Sequence, residues 1–176
     1  SDTDRPWIAR AAAVETLGQR GTGPDSIAAI RRSLEDPEPG VRTEGLTALL
    51  NLPPEQRTPA IDLLDDPRKS VRAAAARAVA PLAGRLDETR SSDFERASRD
   101  LYDKQSAIFD RAAGHMDLAL YHTDLGNLDE AERAYRAAVR VEPEFVPARV
   151  NLAELHLRRN RPREAEEMFR EAVDHA

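Results

Sequence analysis

Leu118, Ala119, His122, Gly126, Ala131, Tyr135, Ala138 and Val139 recur 34 positions later as Leu152, Ala153, His156, Asn160, Ala165, Phe169, Ala172 and Val173. Most residues between them differ. Spacing kept while identity drifts marks a unit that cannot bury its own apolar face and stacks on a copy of itself. Each copy reads as two helices, roughly 111–125 with 128–141, then 145–159 with 162–175. Small Ala residues let the paired helices approach, and Tyr135 and Phe169 are expected to fill the space between neighbours. Gly126 falls where the first helix of its pair ends. Left-handed backbone is common there, and Gly, then Asn, tolerates it best, so Asn160 is a substitution the reading permits. Asp129 and Glu132 have capping-box spacing for the following helix. Pro162 suits the first turn of the last one.

The N-terminal half repeats differently. DPEPGVRTEGLTAL (36–49) aligns with DPRKSVRAAAARAV (66–79), and more weakly with DRPWIARAAAVETL (4–17). Asp and Arg keep one separation in all three, as Asp4/Arg10, Asp36/Arg42 and Asp66/Arg72. A group repeated in every copy serves the copy's geometry, so the pairs are expected to hydrogen-bond between successive repeats as a ladder rather than act as acid and base. Pro37 and Pro67 follow the Asp where the chain turns into a helix. Second helices are expected over about 24–35 and 54–65, from the helical spacing of Ile27, Ile30 and Leu34 and of Ile61 and Leu64. In the junction, 87–110, Ser92 and Glu95 form a capping-box signature, and Phe94, Ala97, Leu101 and Ile108 line one face. Ala97 and Leu101 lie 34 residues before Ala131 and Tyr135.

Composition supports an all-α chain. It is 40% hydrophobic but 5% aromatic, and the β-branched and aromatic alternation that strands need does not occur. The net charge of −6 disfavours nucleic acid as a partner. The absence of cysteine removes disulfides, thiolate metal sites and covalent haem attachment from these residues, and leaves the compartment open. No apolar run approaches the roughly 18 residues of a membrane span. Without an initiator Met or a signal peptide, the chain is expected to be a segment of a longer protein.

Residues 111–176 resemble tetratricopeptide (TPR) repeats, with Leu118-Ala119-x2-His122, Ala131-x3-Tyr135 and Pro143 matching that family's pattern. The chain departs from it at His122 and His156, where an aromatic is usual. Residues 4–86 resemble short HEAT-like repeats of the bilin-lyase type. The junction 87–110 then reads as half a TPR. These resemblances imply an α-solenoid of stacked helical hairpins, HEAT-like over 1–86 and TPR over 111–176, in a right-handed superhelical stack.

They also imply a non-catalytic module that binds a peptide or protein on its concave face. In TPRs the first helix of each pair lines the groove. Counting away from the packing positions gives Met116, Asp117, Leu120, Thr123 and Asp124, then Val150, Asn151, Glu154, Leu157 and Arg158. Asn151 resembles the Asn that contacts peptide backbone in some TPR domains, since an amide both donates and accepts. The lysines of carboxylate-gripping TPRs are absent from these positions, and Arg149 and Arg158 offer a weaker version. A HEAT-like block followed by TPRs is also similar to the tail of some bacterial multihaem c-type cytochromes. That alternative implies a structural appendage of a larger enzyme or electron carrier, with its chemistry outside these residues, and a periplasmic rather than cytoplasmic location. A bilin-lyase-type catalyst is a third reading, but no nucleophile or metal site is evident.

Other motifs carry no chemistry. His115 and His122 are two turns apart on one helix, roughly 10 Å, too far to share a metal. His122 and His156 occupy equivalent places without a third ligand in the pattern, so packing with a satisfied ring nitrogen is the reading. GQRGTG (18–23) lacks a preceding strand and a following Lys-Ser/Thr and reads as a connection between helices. RRNRPR (158–163) reads as a solvated helix end. No cofactor or metal is expected.

Overall fold

The computed structural model describes residues 5–20, 23–106 and 111–174. Its regular elements are helical: α1 (Trp7–Arg20), α2 (Pro24–Ser33), α3 (Pro39–Leu49), α4 (Lys69–Val79), α5 (Glu88–Ser106), α6 (Ala112–Asp124), α7 (Leu128–Val141), α8 (Val146–Arg158) and α9 (Pro162–Asp174), with short 3-10 segments between some of them. The chain divides within α5 into two compact units, Ser1–Tyr102 and Asp103–Ala176.

In the first unit α3 packs between α1 and α4, and α2 closes over α1 and α3. The core holds Ile30, Leu46, Leu49, Leu64, Val41, Val71 and Val79 in full burial. Gly18 sits inside α1, where a Cβ would come within 2.8 Å of the Ala48 Cβ on α3. The stretch GQRGTG is therefore helix as far as Arg20. Its Gly21 and Thr22 lie outside the described residues, and Gly23 is the N-cap of α2.

The second helix expected over 54–65 is instead two 3-10 turns, Pro54–Gln56 and Thr58–Leu63. Pro59 has no N–H to give and its ring opposes the preceding carbonyl, so a continuous α-helical ladder cannot form through it. Arg57 compensates. Its Nε donates to the Leu52 carbonyl at 2.8 Å and its Nη2 to the Leu50 carbonyl at 2.9 Å, both just beyond α3.

The Asp–Arg pairs do form a ladder. Arg10 donates to both carboxylate oxygens of Asp36 (2.9 and 2.8 Å), Arg42 to both of Asp66 (2.9 and 3.2 Å), and Arg72 to Asp100 on α5 (2.7 Å). Asp36 and Asp66 also turn their own chain: Asp36 accepts from the Glu38 N–H and Asp66 from the Arg68 N–H. Arg42 and Arg72 each reach back to the carbonyl six residues earlier, Asp36 and Asp66, and Arg10 reaches the Arg5 carbonyl five residues earlier. The bond from Arg10 holds the buried Asp36 carboxyl below its ordinary range, against the opposing effect of burial. Asp4 lies outside the described residues.

Helix α5 starts at Glu88, ahead of the Ser92/Glu95 signature. Asp87 takes the Arg90 N–H at 2.8 Å, and Ser92 falls inside the helix. Phe94 and Ala97 join the first unit's core, Leu101 is buried, and Ile108 lies outside the described residues.

In the second unit α6 pairs with α7 and α8 with α9, while α8 also packs on α7. The two turns between paired helices are built alike. Gly126 has φ +78° and Asn160 φ +56°. The N–H two residues after each helix's last turn closes back: Asn127 donates to the His122 carbonyl and Arg161 to the His156 carbonyl, both at 2.9 Å. Pro162 opens α9 as expected.

Three expectations fail here, one of them in part. Asp129 and Glu132 do not form a capping box; Asn127 is the N-cap of α7 and makes no side-chain cap bond. Their carboxylates are taken by Arg159, which follows α8, at 2.5 and 2.8 Å. Glu132 also binds Arg161 (3.2 Å) and Arg136 (2.7 Å). RRNRPR is thus partly an internal clamp between repeats rather than only a solvated helix end. Phe169 is 37% exposed where its counterpart Tyr135 is 2% exposed. Leu152 and Leu155 of α8 cover Tyr135, and among the described residues no further helix follows α9 to cover Phe169.

Candidate functional site

Helices α6 and α8 are in contact, and each carries one of the stripes that the helical count selects. The stripes are copies of one another at a spacing of 34: Met116/Val150, Asp117/Asn151, Leu120/Glu154, Thr123/Leu157 and Asp124/Arg158. Burial separates them into two sets. Asp117, Glu154, Leu157 and Arg158 are exposed, with Leu157 at 52%. Met116, Leu120, Thr123, Asp124, Val150 and Asn151 are half-buried. Met116 and Leu120 pack on the cluster of Ala119, Ala131, Tyr135, Leu152 and Leu155, so their side chains belong partly to the interior.

Several polar groups on the stripes are already engaged. Thr123 Oγ1 donates to the Ala119 carbonyl at 2.8 Å, and Asn151 Nδ2 to the Pro147 carbonyl at 2.7 Å. The Asn151 donor is therefore spent one turn back along its own helix. Asp117 accepts from Gln105 Nε2 at 3.1 Å, a contact no repeat spacing signals. Among the charged residues of the face, Asp117, Asp124 and Glu154 stand against Arg158 alone, which makes it net acidic.

Arg149 does not belong to the surface. It is 4% exposed, donates to the Pro143 carbonyl and faces Glu171 at 3.4 Å. It reaches back six residues in sequence, as Arg42 and Arg72 do. A carboxylate grip shared by Arg149 and Arg158 is thereby ruled out, because the first is committed inside the fold.

His122 and His156 sit in the packing layer. His156 is 3% exposed, and no partner lies within hydrogen-bonding reach of its Nδ1 among the described residues. The expectation of a satisfied ring nitrogen fails at that atom. His122 is half-buried and meets Tyr121 edge-on at 5.7 Å. Burial pushes both imidazoles below their ordinary value of 6.5. Glu130 opposes this at His122 and Glu132 at His156, while Arg133 and Arg136 reinforce it. No group of three or more acidic or His residues is placed to hold a metal among the described residues. No helix there is long and apolar enough to cross a membrane.

Residues 116–176 match the tetratricopeptide repeat family and residues 2–80 match HEAT repeats. Among solved structures the chain is similar to a MamA chain, "MamA 41-end from Desulfovibrio magneticus RS-1", at 16% identity over 94% of each chain with a TM-score of 0.52. It is also similar to "MamA RS-1 ArsTM double mutant", at 16% identity, 94% coverage of each and a TM-score of 0.51. At these identities the likeness is one of fold. No curated protein matches the chain.

Proposed function

We propose that this chain, whose residues 2–80 match HEAT repeats and residues 116–176 match tetratricopeptide repeats, is a non-catalytic module that binds a peptide or protein segment across α6 and α8. The observation that carries this reading is the division of labour within each copy. The packing positions keep their character across the 34-residue repeat, while four of the five stripe pairs change chemistry, as from Leu120 to Glu154 and from Asp124 to Arg158, and only Met116/Val150 stays apolar. Residues released from packing and facing outward are those a partner can read. The net acidic face with one exposed leucine fits a segment that presents basic and apolar side chains. The division into HEAT-like residues 1–86, a junction and a TPR pair over 111–176 belongs to the same proposal.

A peptide library displayed on phage and selected on the whole chain tests this. Selected peptides are expected to be rich in Arg or Lys with apolar residues, and to lose binding to the Glu154→Arg/Leu157→Asp variant. Selected binders indifferent to both substitutions sink the assignment of the face.

A further inference from the structure

Every histidine of this chain lies in the second unit: His115, His122, His156 and His175, with none among residues 1–102. His156 is the least solvent-exposed of those described. Its ring sits on α8 between α7 and α9, shielded from solvent. The groups that face it are Glu132 and Arg136 from α7, Arg161 from the turn, and Glu164 from α9. Of the two carboxylates Glu132 acts more strongly on the ring, and it already binds Arg136, Arg159 and Arg161 at 2.7, 2.8 and 3.2 Å. Glu164 is exposed in the first turn of α9.

Protonation makes both ring nitrogens donors. The proton added to a neutral ring either lands on Nδ1 or forces Nδ1 to keep one, and Nδ1 has no acceptor in reach among the described residues. A buried cation would then stand beside two guanidiniums, Arg136 and Arg161, that already share Glu132. Both effects favour the unfolded or opened chain, where water solvates the imidazolium.

We propose that the TPR unit is a proton-sensitive element, in which protonation of His156 loosens α8 from α7 and α9 and weakens binding at the face that α8 carries. The regulation of that face rests on the binding role proposed above; the loosening itself does not. The folded pKa lies below the unfolded value of 6.5, so the opened state binds the proton more readily. Protection of the second unit is therefore full above about pH 6.5. It falls as pH drops through that value, by up to about tenfold per pH unit for one histidine, and levels once the folded form titrates. The first unit has no such group and serves as an internal control.

Amide hydrogen exchange on the whole chain between pH 7.5 and 5, corrected for intrinsic rates, reads this directly. Amides of α8 and α9 are expected to lose up to about fivefold protection between pH 6.5 and 5.5 while those of α3 hold. His156→Phe supplies the aromatic usual at this position of the repeat, and should flatten the α8 response. His156→Asn serves if the Phe variant fails to fold. Persistence of the wild-type pH response in a folded non-titrating variant overturns the proposal, as does an equal loss in α3. If the exchange result holds but a peptide selected at pH 7.5 binds equally well at pH 5.5, the regulation of the face is refuted and the loosening stands.

Discussion

Replacing Arg42 by Met removes a guanidinium that four bonds hold in place. Arg42 is 9% exposed, donates to both oxygens of the buried Asp66 at 2.9 and 3.2 Å, and donates to the carbonyls of Asp36 and Pro37 at 2.8 and 3.0 Å. Met retains the apolar stem, so the loss isolates the charge and its hydrogen bonds. The Asp66 carboxylate keeps only the Arg68 N–H among these donors and is stranded in a site 7% exposed. Breaking a buried pair from one side costs about 3–5 kcal/mol, whereas an exposed pair is worth about 1 kcal/mol or less. Urea unfolding read by fluorescence of Trp7 measures this. Trp7 is the single tryptophan and its ring lies on α3, within 2.8 Å of where a Gly40 Cβ would be. In an Asp66→Asn background the same Met substitution strands no charge. Its cost should then fall by about 1–3 kcal/mol, the coupling expected of groups in direct contact. A loss below about 1 kcal/mol for Arg42→Met, or no coupling to Asp66, would show that the ladder does not bear on stability.

The other expectations are more local. Leu152→Ala truncates a side chain 3% exposed and should cost about 2–5 kcal/mol in thermal or urea unfolding, while Asn151→Ala, one position away, should stay within about 0.5 kcal/mol. At the left-handed turn, Asn160→Gly should leave stability unchanged or raise it, and Asn160→Val should lower it by about 1–2 kcal/mol, read by circular dichroism of thermal unfolding. Gly45→Ala would place a Cβ 2.3 Å from Ser33 Oγ and 2.9 Å from Leu34, so the α2–α3 contact must open at about 1–3 kcal/mol. Asp36 has a folded carboxyl below its ordinary 3.8. Its contribution to the first unit is present above pH 3.8 and is lost as pH falls below it, which Trp7 fluorescence in an acid titration would follow.

The repeat spacing carried the helical hairpins to within a residue or two, because packing positions such as Ala131, Tyr135 and Leu152 must recur for the stack to close. Gly126 and Asn160 were legible for the same reason, since only a few residues accept that backbone. What escaped was decided by partners distant in sequence. Asp129 and Glu132 have the spacing of a cap, yet arginines about 30 residues away claim them. Arg149 looks like a surface cation until its bond to the Pro143 carbonyl is seen, and Asp100 ends the ladder from a helix outside the Asp–Pro repeat. The failed helix at 54–65 is different. Ile61 and Leu64 keep helical spacing, but Pro59 outweighs it. On the candidate face, the helical count does not separate the exposed Asp117, Glu154, Leu157 and Arg158 from Met116 and Leu120, which pack on the cluster of Ala119 and Ala131.

Chemical-shift mapping of the labelled whole chain with a phage-selected peptide tests the binding face most directly. Perturbed amides should cluster on α6 and α8, around Asp117, Asp124, Asn151, Glu154, Leu157 and Arg158. A footprint confined to the first unit, or to the outer faces of α7 and α9, would contradict the assignment.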